Sequence, residues 1–389
     1  MICIKNGTIH TAVKKETFKG DILIQNGKIL KIGTDLDGQA DQVIRAEGLE
    51  VYPGFIDAHC HVGLDVFAGG PMGMEFNETN DPVTPQLSAV DGFNPFDHHL
   101  ELAREGGVTC IATGPGSSNA IGGTFAAFKT VGTWTDDMVV KKAVAMKCAF
   151  GENPKRFYQN KGIASRMTNA AVIRAALRKA QIYLEKVERA QTDPAKYPAY
   201  DQKCEALLPV LRKEIPLKAH VHQANDIQTA LRIAKEFDVN ITLEHVTEGK
   251  LNADKLGQSG VYMAVGPFYN SSSKLEYKNV DPATAGILSK AGCHVCLITD
   301  APVVPLQGLP VFAGMAIQAG MDSFEALKAI TINAAEHLGL QDRVGSLEEG
   351  KDADIVITEG SPLTLEGKVK YVLIDGRIVV EKFIKMAVC

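Results

Sequence analysis

A chain of 389 residues, 45% of them hydrophobic and 22% charged, can bury a large core and is long for one domain. Its formal charge of −5 gives no basic face for nucleic acid or anionic lipid, and no uncharged apolar stretch is long enough to span a membrane. The N-terminus runs straight into a strand-and-turn pattern with no signal peptide, and the eight cysteines are scattered, as expected of a protein in a reducing cytoplasm. Cys60, Cys110, Cys148 and Cys296 lie in apolar, strand-like runs, where a thiol acts as a small hydrophobe. Cys293 and Cys296 are three apart, which on a strand turns them to opposite faces.

Short strands are predicted first at residues 2–5, 21–25, 28–32 and 42–45, with Asn26-Gly27 as a tight hairpin turn. The run Pro53-Gly54-Phe55-Ile56-Asp57-Ala58-His59-Cys60-His61 follows. Residues i and i+2 of a strand share a face, so His59 and His61 can deliver two imidazoles to one site. Residues 67–94 are rich in Gly, Pro, Asn and Asp, and read as a flexible lid or wall over that site. Strands at 108–113, 143–150, 217–222, 240–245, 261–266 and 294–299 alternate with helical stretches. The clearest of these is 169–190, with Val172, Ala176, Ala180, Tyr183 and Val187 at helical spacing. One more strand is placed near 124–131. The glycine-rich Gly114-Pro115-Gly116-Ser117-Ser118-Asn119 can cradle a ligand, but no Gly-Lys-Ser/Thr follows to make it a phosphate loop. The alternation indicates a parallel α/β fold, and its length suits a closed (β/α)8 TIM barrel of typically ~250 residues. Strands at 353–357, 370–373 and 377–380, with an Asp375-Gly376 turn, close the chain. The two β-rich ends predict a small β-sandwich from residues 1–53 and 345–389 around a barrel of 54–344.

In such a barrel the carboxyl ends of the strands meet on one face. His59, His61, His220, His222, His245 and Asp300 all stand at predicted strand ends, so they converge although they are distant in sequence. Histidines with a carboxylate suit Zn²⁺ or a similar divalent ion. His10, His294 and His337 lack this placement and are read as structural, and His98 and His99 as surface residues. Glu244, one residue before His245, is expected to point away from that histidine's face.

The order H-x-H, H, H, D, the flanking Pro-Gly-Phe-Ile-Asp-Ala-His-Cys-His, and Gly350-Lys351-Asp352-Ala353-Asp354-Ile355-Val356 resemble the metal-dependent amidohydrolase superfamily over nearly the whole chain. Gly151-Glu152-Asn153-Pro154-Lys155-Arg156 and Glu75-Phe76-Asn77-Glu78-Thr79 are similar to its imidazolonepropionase-related group. The resemblance implies a barrel with a sandwich made from both termini, and one or two divalent ions, zinc first, held by His59, His61, His220, His245 and Asp300. It implies a bridging ligand: Lys147 carboxylated by CO₂, with Glu152 as the rival. Asp300 would take a proton from water and pass it to the leaving nitrogen. His222 would contact substrate or the developing oxyanion, or orient a ligand. Arg166, Lys274 and Arg156 are candidates to clamp a substrate carboxylate.

Deaminases and imidazolonepropionases of this superfamily usually place a glutamate three residues after the third histidine. Here His220 is followed by Val221-His222-Gln223. The expected reaction is therefore hydrolysis of an amide, peptide or cyclic amide of a small molecule. Deaminase or imidazolonepropionase-like chemistry is the alternative, and a non-catalytic barrel the remaining one. A homo-oligomer is compatible with the sequence.

Overall fold

The computed structural model describes residues 1–190, 194–269 and 274–382. The last residues of the expected terminal domain, 383–389, lie outside the described residues.

Two eight-stranded sheets organise the chain. The first is made from both ends. It contains β1 (Ile2–Ile9), β2 (Phe18–Gln25), β3 (Lys28–Gly33), β4 (Gln42–Arg45) and β5 (Glu50–Pro53). The second contains β6 (Phe55–Cys60), β7 (Val108–Thr113), β8 (Ile121–Lys129), β9 (Val139–Ala149), β10 (Leu217–Val221), β11 (Ile241–His245), β12 (Tyr262–Val265) and β13 (His294–Leu297). The chain then returns to the first sheet with β14 (Ile355–Glu359), β15 (Lys368–Ile374) and β16 (Arg377–Glu381).

In the terminal sheet β14 pairs with β5, so the C-terminal strands extend the N-terminal ones. Isoleucines 4, 9, 22, 24 and 29 from the start of the chain and 355 and 357 from its end share one apolar core. Burying such side chains is worth roughly 1.5–3 kcal/mol each, which holds the two ends together. The predicted hairpins form. Asn26 and Gly27 (φ 51° and 78°) and Asp375 and Gly376 (φ 46° and 68°) supply the paired left-handed residues that a two-residue turn needs.

The second sheet runs β6-β7-β8-β9-β10-β11-β12-β13 and curls into a nearly closed barrel. At its open seam the buried Asp57 carboxylate accepts from His59 N and Thr299 N, both at 3.0 Å, and from Thr299 Oγ1 at 2.5 Å. A side chain thus joins the two edges, beside the backbone bond from His61 N to Ala301 O at 2.6 Å. Burial pushes the Asp57 carboxyl up to about 7, while the Thr299 bonds oppose that rise.

One strand departs from the simple alternation. β8 is antiparallel to both β7 and β9. The reason lies in its connections. Residues 114–120 separate β7 from β8, and the link to β9 holds only the four-residue helix Thr135–Met138. A parallel crossover needs about a dozen residues, so these links can only reverse the chain.

The helix Arg166–Ala190 forms where expected; Ala180, Tyr183 and Val187 are buried, Val172 and Ala176 pack partly buried against the core, and Ile173 and Leu177 are buried beside them. Residues 67–94 prove to be a pinned wall. Thr84 N donates to Ile121 O at 2.8 Å and Thr124 N to Leu87 O at 2.9 Å, so the segment lies along β8. Tyr158 Oη lies 2.6 Å from Glu78 O and 3.0 Å from Asp81 O. Local composition marks an irregular segment; it does not reveal the hydrogen bonds that a neighbouring edge supplies.

Barrel and terminal sheet are tied by one buried ammonium. Lys129, at the end of β8, meets Asp354 at 2.7 Å, Asp375 at 3.0 Å and Asp352 at 3.1 Å. Lys129→Met removes the only cation that all three carboxylates share among the described residues. Breaking a buried ion cluster in this way typically costs ~3–5 kcal/mol, so urea unfolding should show a loss of that order.

Candidate metal centre

β10 carries Lys218, His220 and, just beyond its end, His222 on one face, all pointing into the barrel. Its neighbour β11 is in parallel register, with His220 opposite Glu244. Glu244 therefore points inward too, and strict alternation would send His245 outward. The backbone prevents this: His245 and Val246 are left-handed, with φ of 72° and 50°. Glu244 and His245 both face the interior, contrary to the expectation from alternation. Asp300 is also left-handed, with φ 53°. Non-glycine residues in this region cost about 1–3 kcal/mol each and gather where function demands a side-chain direction.

Two overlapping groups of ligand atoms result. His220, His222 and His245 form one, and His59, His245 and Asp300 the other, each with its atoms within 4.8 Å of one another. Asp300 Oδ1 stands 3.3 Å from His61 Nε2 and 3.7 Å from His59 Nε2. The Lys147 ammonium nitrogen lies 2.9 Å from His59 Nε2. The Nε2 atoms of His220, His222 and His245 are buried with no hydrogen-bond partner among the described residues. Unpartnered buried nitrogens are costly, unless a cation takes their lone pairs.

The other ring nitrogens of His222 and His245 are occupied, and so is that of His61. His61 Nδ1 meets Gly114 O at 2.8 Å, His245 Nδ1 meets Gly266 O at 2.9 Å, and His222 Nδ1 meets Thr247 Oγ1 at 2.8 Å. A carbonyl at Nδ1 requires an N–H there, which leaves Nε2 as the free donor of electrons. The glycine-rich turn thus serves the centre through the Gly114 carbonyl, and a Cβ at Gly114 would stand 2.2 Å from the Phe125 ring.

Burial keeps these groups neutral. It pushes His59, His220 and His222 well below the usual imidazole range and His245 down to about 4. Burial also pulls Lys147 down to about 8, so a neutral amine is accessible there. Burial opposes ionisation of Asp300, but His245 and His61 beside it hold the carboxyl well below its ordinary value. Neutral imidazoles, an ionised carboxylate and an amine open to carboxylation fit a divalent ion.

Beneath the centre lies a layer that sequence reasoning missed. The Glu244 carboxylate accepts from His59 Nδ1, Lys218 Nζ and Thr242 Oγ1, each at 2.8 Å, and from His337 Nε2 at 3.0 Å. Burial would raise Glu244, but Lys218 and His337 outweigh it and hold the carboxyl well below the usual range. His337, read as structural, belongs to this layer. The available signal was Lys218, a charged residue two before His220 on the same strand face.

The walls hold the remaining candidates. Lys274 is half-buried, in electrostatic reach of Asp300, and pairs with no carboxylate among the described residues; burial lowers its pKa. Arg166 is neutralised by Asp226 at 2.9 Å and also bonds Gln223. Arg156 is exposed and lies over Phe157. Glu152 stands in the wall, its N–H donating to Glu276 Oε1 at 2.7 Å, and is in neither ligand group. Phe76, from the pinned wall, stacks on His61 with ring centroids 5.0 Å apart. His98 is exposed and His99 half-buried against Asp97; His10 stacks on Tyr52, and His294 on Tyr262.

The amidohydrolase family model matches residues 51–379. The chain therefore belongs to the amidohydrolase family of metal-dependent hydrolases. A solved amidohydrolase from Thermotoga maritima MSB8 superposes with a TM-score of 0.95 at 39% identity, over 98% of this chain and 100% of that one. Amidohydrolase tasK of Hapsidospora irregularis is 28% identical over 92% of this chain, which spans only 39% of that relative's length. The imidazolonepropionase of Thermoplasma volcanium is 24% identical, over 87% of this chain and 83% of its own. No helix among the described residues is long and apolar enough to cross a membrane.

Because His245 belongs to both ligand groups, His245→Ala should deplete metal more than His61→Ala. Elemental analysis of protein purified without chelator should find at least one divalent ion per chain in the parent and the lowest content in His245→Ala.

Proposed function

We propose that the protein hydrolyses a C–N bond, in an amide, peptide or cyclic amide, of a small molecule that carries a carboxylate. The observation that carries this reading is the convergence of three unpartnered Nε2 atoms beside Asp300, His59 and Lys147. The two overlapping groups, His59, His245 and Asp300 with His61 beside them, and His220, His222 and His245, would hold one or two divalent ions, zinc first. Lys147 is the better bridging candidate, as its carbamate, because it reaches His59 and Glu152 does not. An ion held there supplies Lewis acidity and brings the pKa of a water down to ~7.

The chain's own residues do the rest. Asp300 accepts the proton released from water and returns it to the leaving nitrogen. Lys274 seats the substrate carboxylate, since Arg166 is already committed to Asp226. The imidazolonepropionase-related alternative, with its deaminase relatives, is disfavoured at one position. Gln223 stands where those enzymes usually carry an acid, and it accepts a hydrogen bond from Arg166. We take the substrate to be met in the cytoplasm, and self-association to be compatible with this site.

A screen of N-acyl amino acids, dipeptides and cyclic amides tests the reading. On any substrate found, Asp300→Asn should lower kcat by at least ~10²-fold, because general acid–base assistance is typically worth ~10²–10⁴; near-normal turnover would remove Asp300 from the mechanism. Lys274→Ala should lower kcat/KM by about 30-fold or more for carboxylate-bearing substrates, the loss that truncating one partner of a buried charge pair brings. An analogue without the carboxylate should show little change.

A further inference from the structure

Among the histidines of the site whose Nδ1 partner is identified, His59 differs from the rest. Behind His61, His222 and His245 stands a neutral oxygen, and behind His59 stands the Glu244 carboxylate. That carboxylate cannot turn. Its Oε2 receives His59 Nδ1 and Lys218 Nζ, its Oε1 receives Thr242 Oγ1 and His337 Nε2, and the residue is fully buried.

We propose that Glu244 is a positioning residue for one metal position only. By accepting from Nδ1 it sets the His59 tautomer and aims Nε2 into the group formed with His245 and Asp300. No hydrogen bond joins the Glu244 carboxylate to His220, His222 or His245 among the described residues, so the position that His220 and His222 line rests on it less. The assignment rests on the metal reading of the site.

Geometry supplies the reason for the supporting residues. A carboxylate at this depth needs a compensating charge, and Lys218 provides it from the neighbouring strand. Lys218 and Lys147 are register partners on β10 and β9, with their ammonium nitrogens 5.3 and 5.2 Å from the centre of the Phe125 ring. The two lysines therefore have separate tasks: Lys218 answers Glu244, and Lys147 faces His59 Nε2. His337 and Thr242 fix the second oxygen, which stops the carboxylate from rotating away from His59. Carboxylates behind metal-bound histidines typically govern metal affinity by 10–100-fold.

The test compares zinc affinities by chelator competition in the parent and in the Glu244→Gln/Lys218→Met pair. The pair removes both buried charges together. Glu244→Gln alone would leave the Lys218 ammonium without its carboxylate and is expected to be unstable. One zinc position in the pair should weaken by about 10–100-fold, with the other within about two-fold and the metal-free melting curve little changed. Two parent-like affinities would overturn the assignment, as would equal weakening of both positions in a folded protein. A parent that binds no zinc, manganese or iron would refute the metal reading itself. A second measurement needs no variant: imidazole ¹⁵N shifts of the metal-free parent should report His59 with its proton on Nδ1, and a proton on Nε2 would overturn the proposal.

Discussion

Desolvation of the imidazole cluster is the constraint on which the rest of the site depends. His59, His220, His222 and His245 are sealed at one end of the barrel, where a protonated ring would carry a large penalty. They stay neutral, and neutral rings present lone pairs. Three such lone pairs have no partner among the described residues, and a divalent cation would complete the cluster. The same burial that threatens fold stability therefore creates the binding site. Buried charges are answered locally: Glu244 by Lys218, and Asp300 by the nearby Lys147, with which it interacts electrostatically.

Direction is set by the backbone. Regular strands place Lys218, His220 and His222 on one face, but Glu244 and His245 are consecutive, and alternation cannot aim both inward. The left-handed residues at His245 and Asp300 solve this at a local cost. The antiparallel β8 contributes in a similar way. Short reversing links replace crossover helices there, which brings the Gly114 carbonyl to His61 and lets residues 67–94 lie along the strand and carry Phe76 onto the same ring.

Substrate selection would fall to the walls rather than the floor. Arg166 contacts Asp226, Gln223 and Glu276 and so ties the loops after β9, β10 and β12 together. Lys274 stands beside this network without a carboxylate of its own. A cation beside this network, over the Tyr277 ring and in reach of Asp300, would suit recognition of an anionic group.

Much of this was legible in the sequence because it depends on local chemistry. Periodicity of two and the Asn-Gly and Asp-Gly turns marked the strands and hairpins; His59, His61, His220, His245 and Asp300 revealed themselves because a barrel brings strand ends together. Composition predicted two matching β-rich ends, and β14 does pair with β5. What the sequence could not disclose depends on contacts between distant segments. Glu244 was assigned the wrong direction, since a left-handed turn at His245 is invisible in a strand-like run. The Lys218–Glu244–His337 layer joins three elements. The antiparallel course of β8 and the pinning of residues 67–94 follow from link lengths and hydrogen bonds across the sheet edge. Local pattern by itself determined which residues could bind a metal; only tertiary packing decided which nitrogen each histidine presents, because that depends on what stands behind the ring.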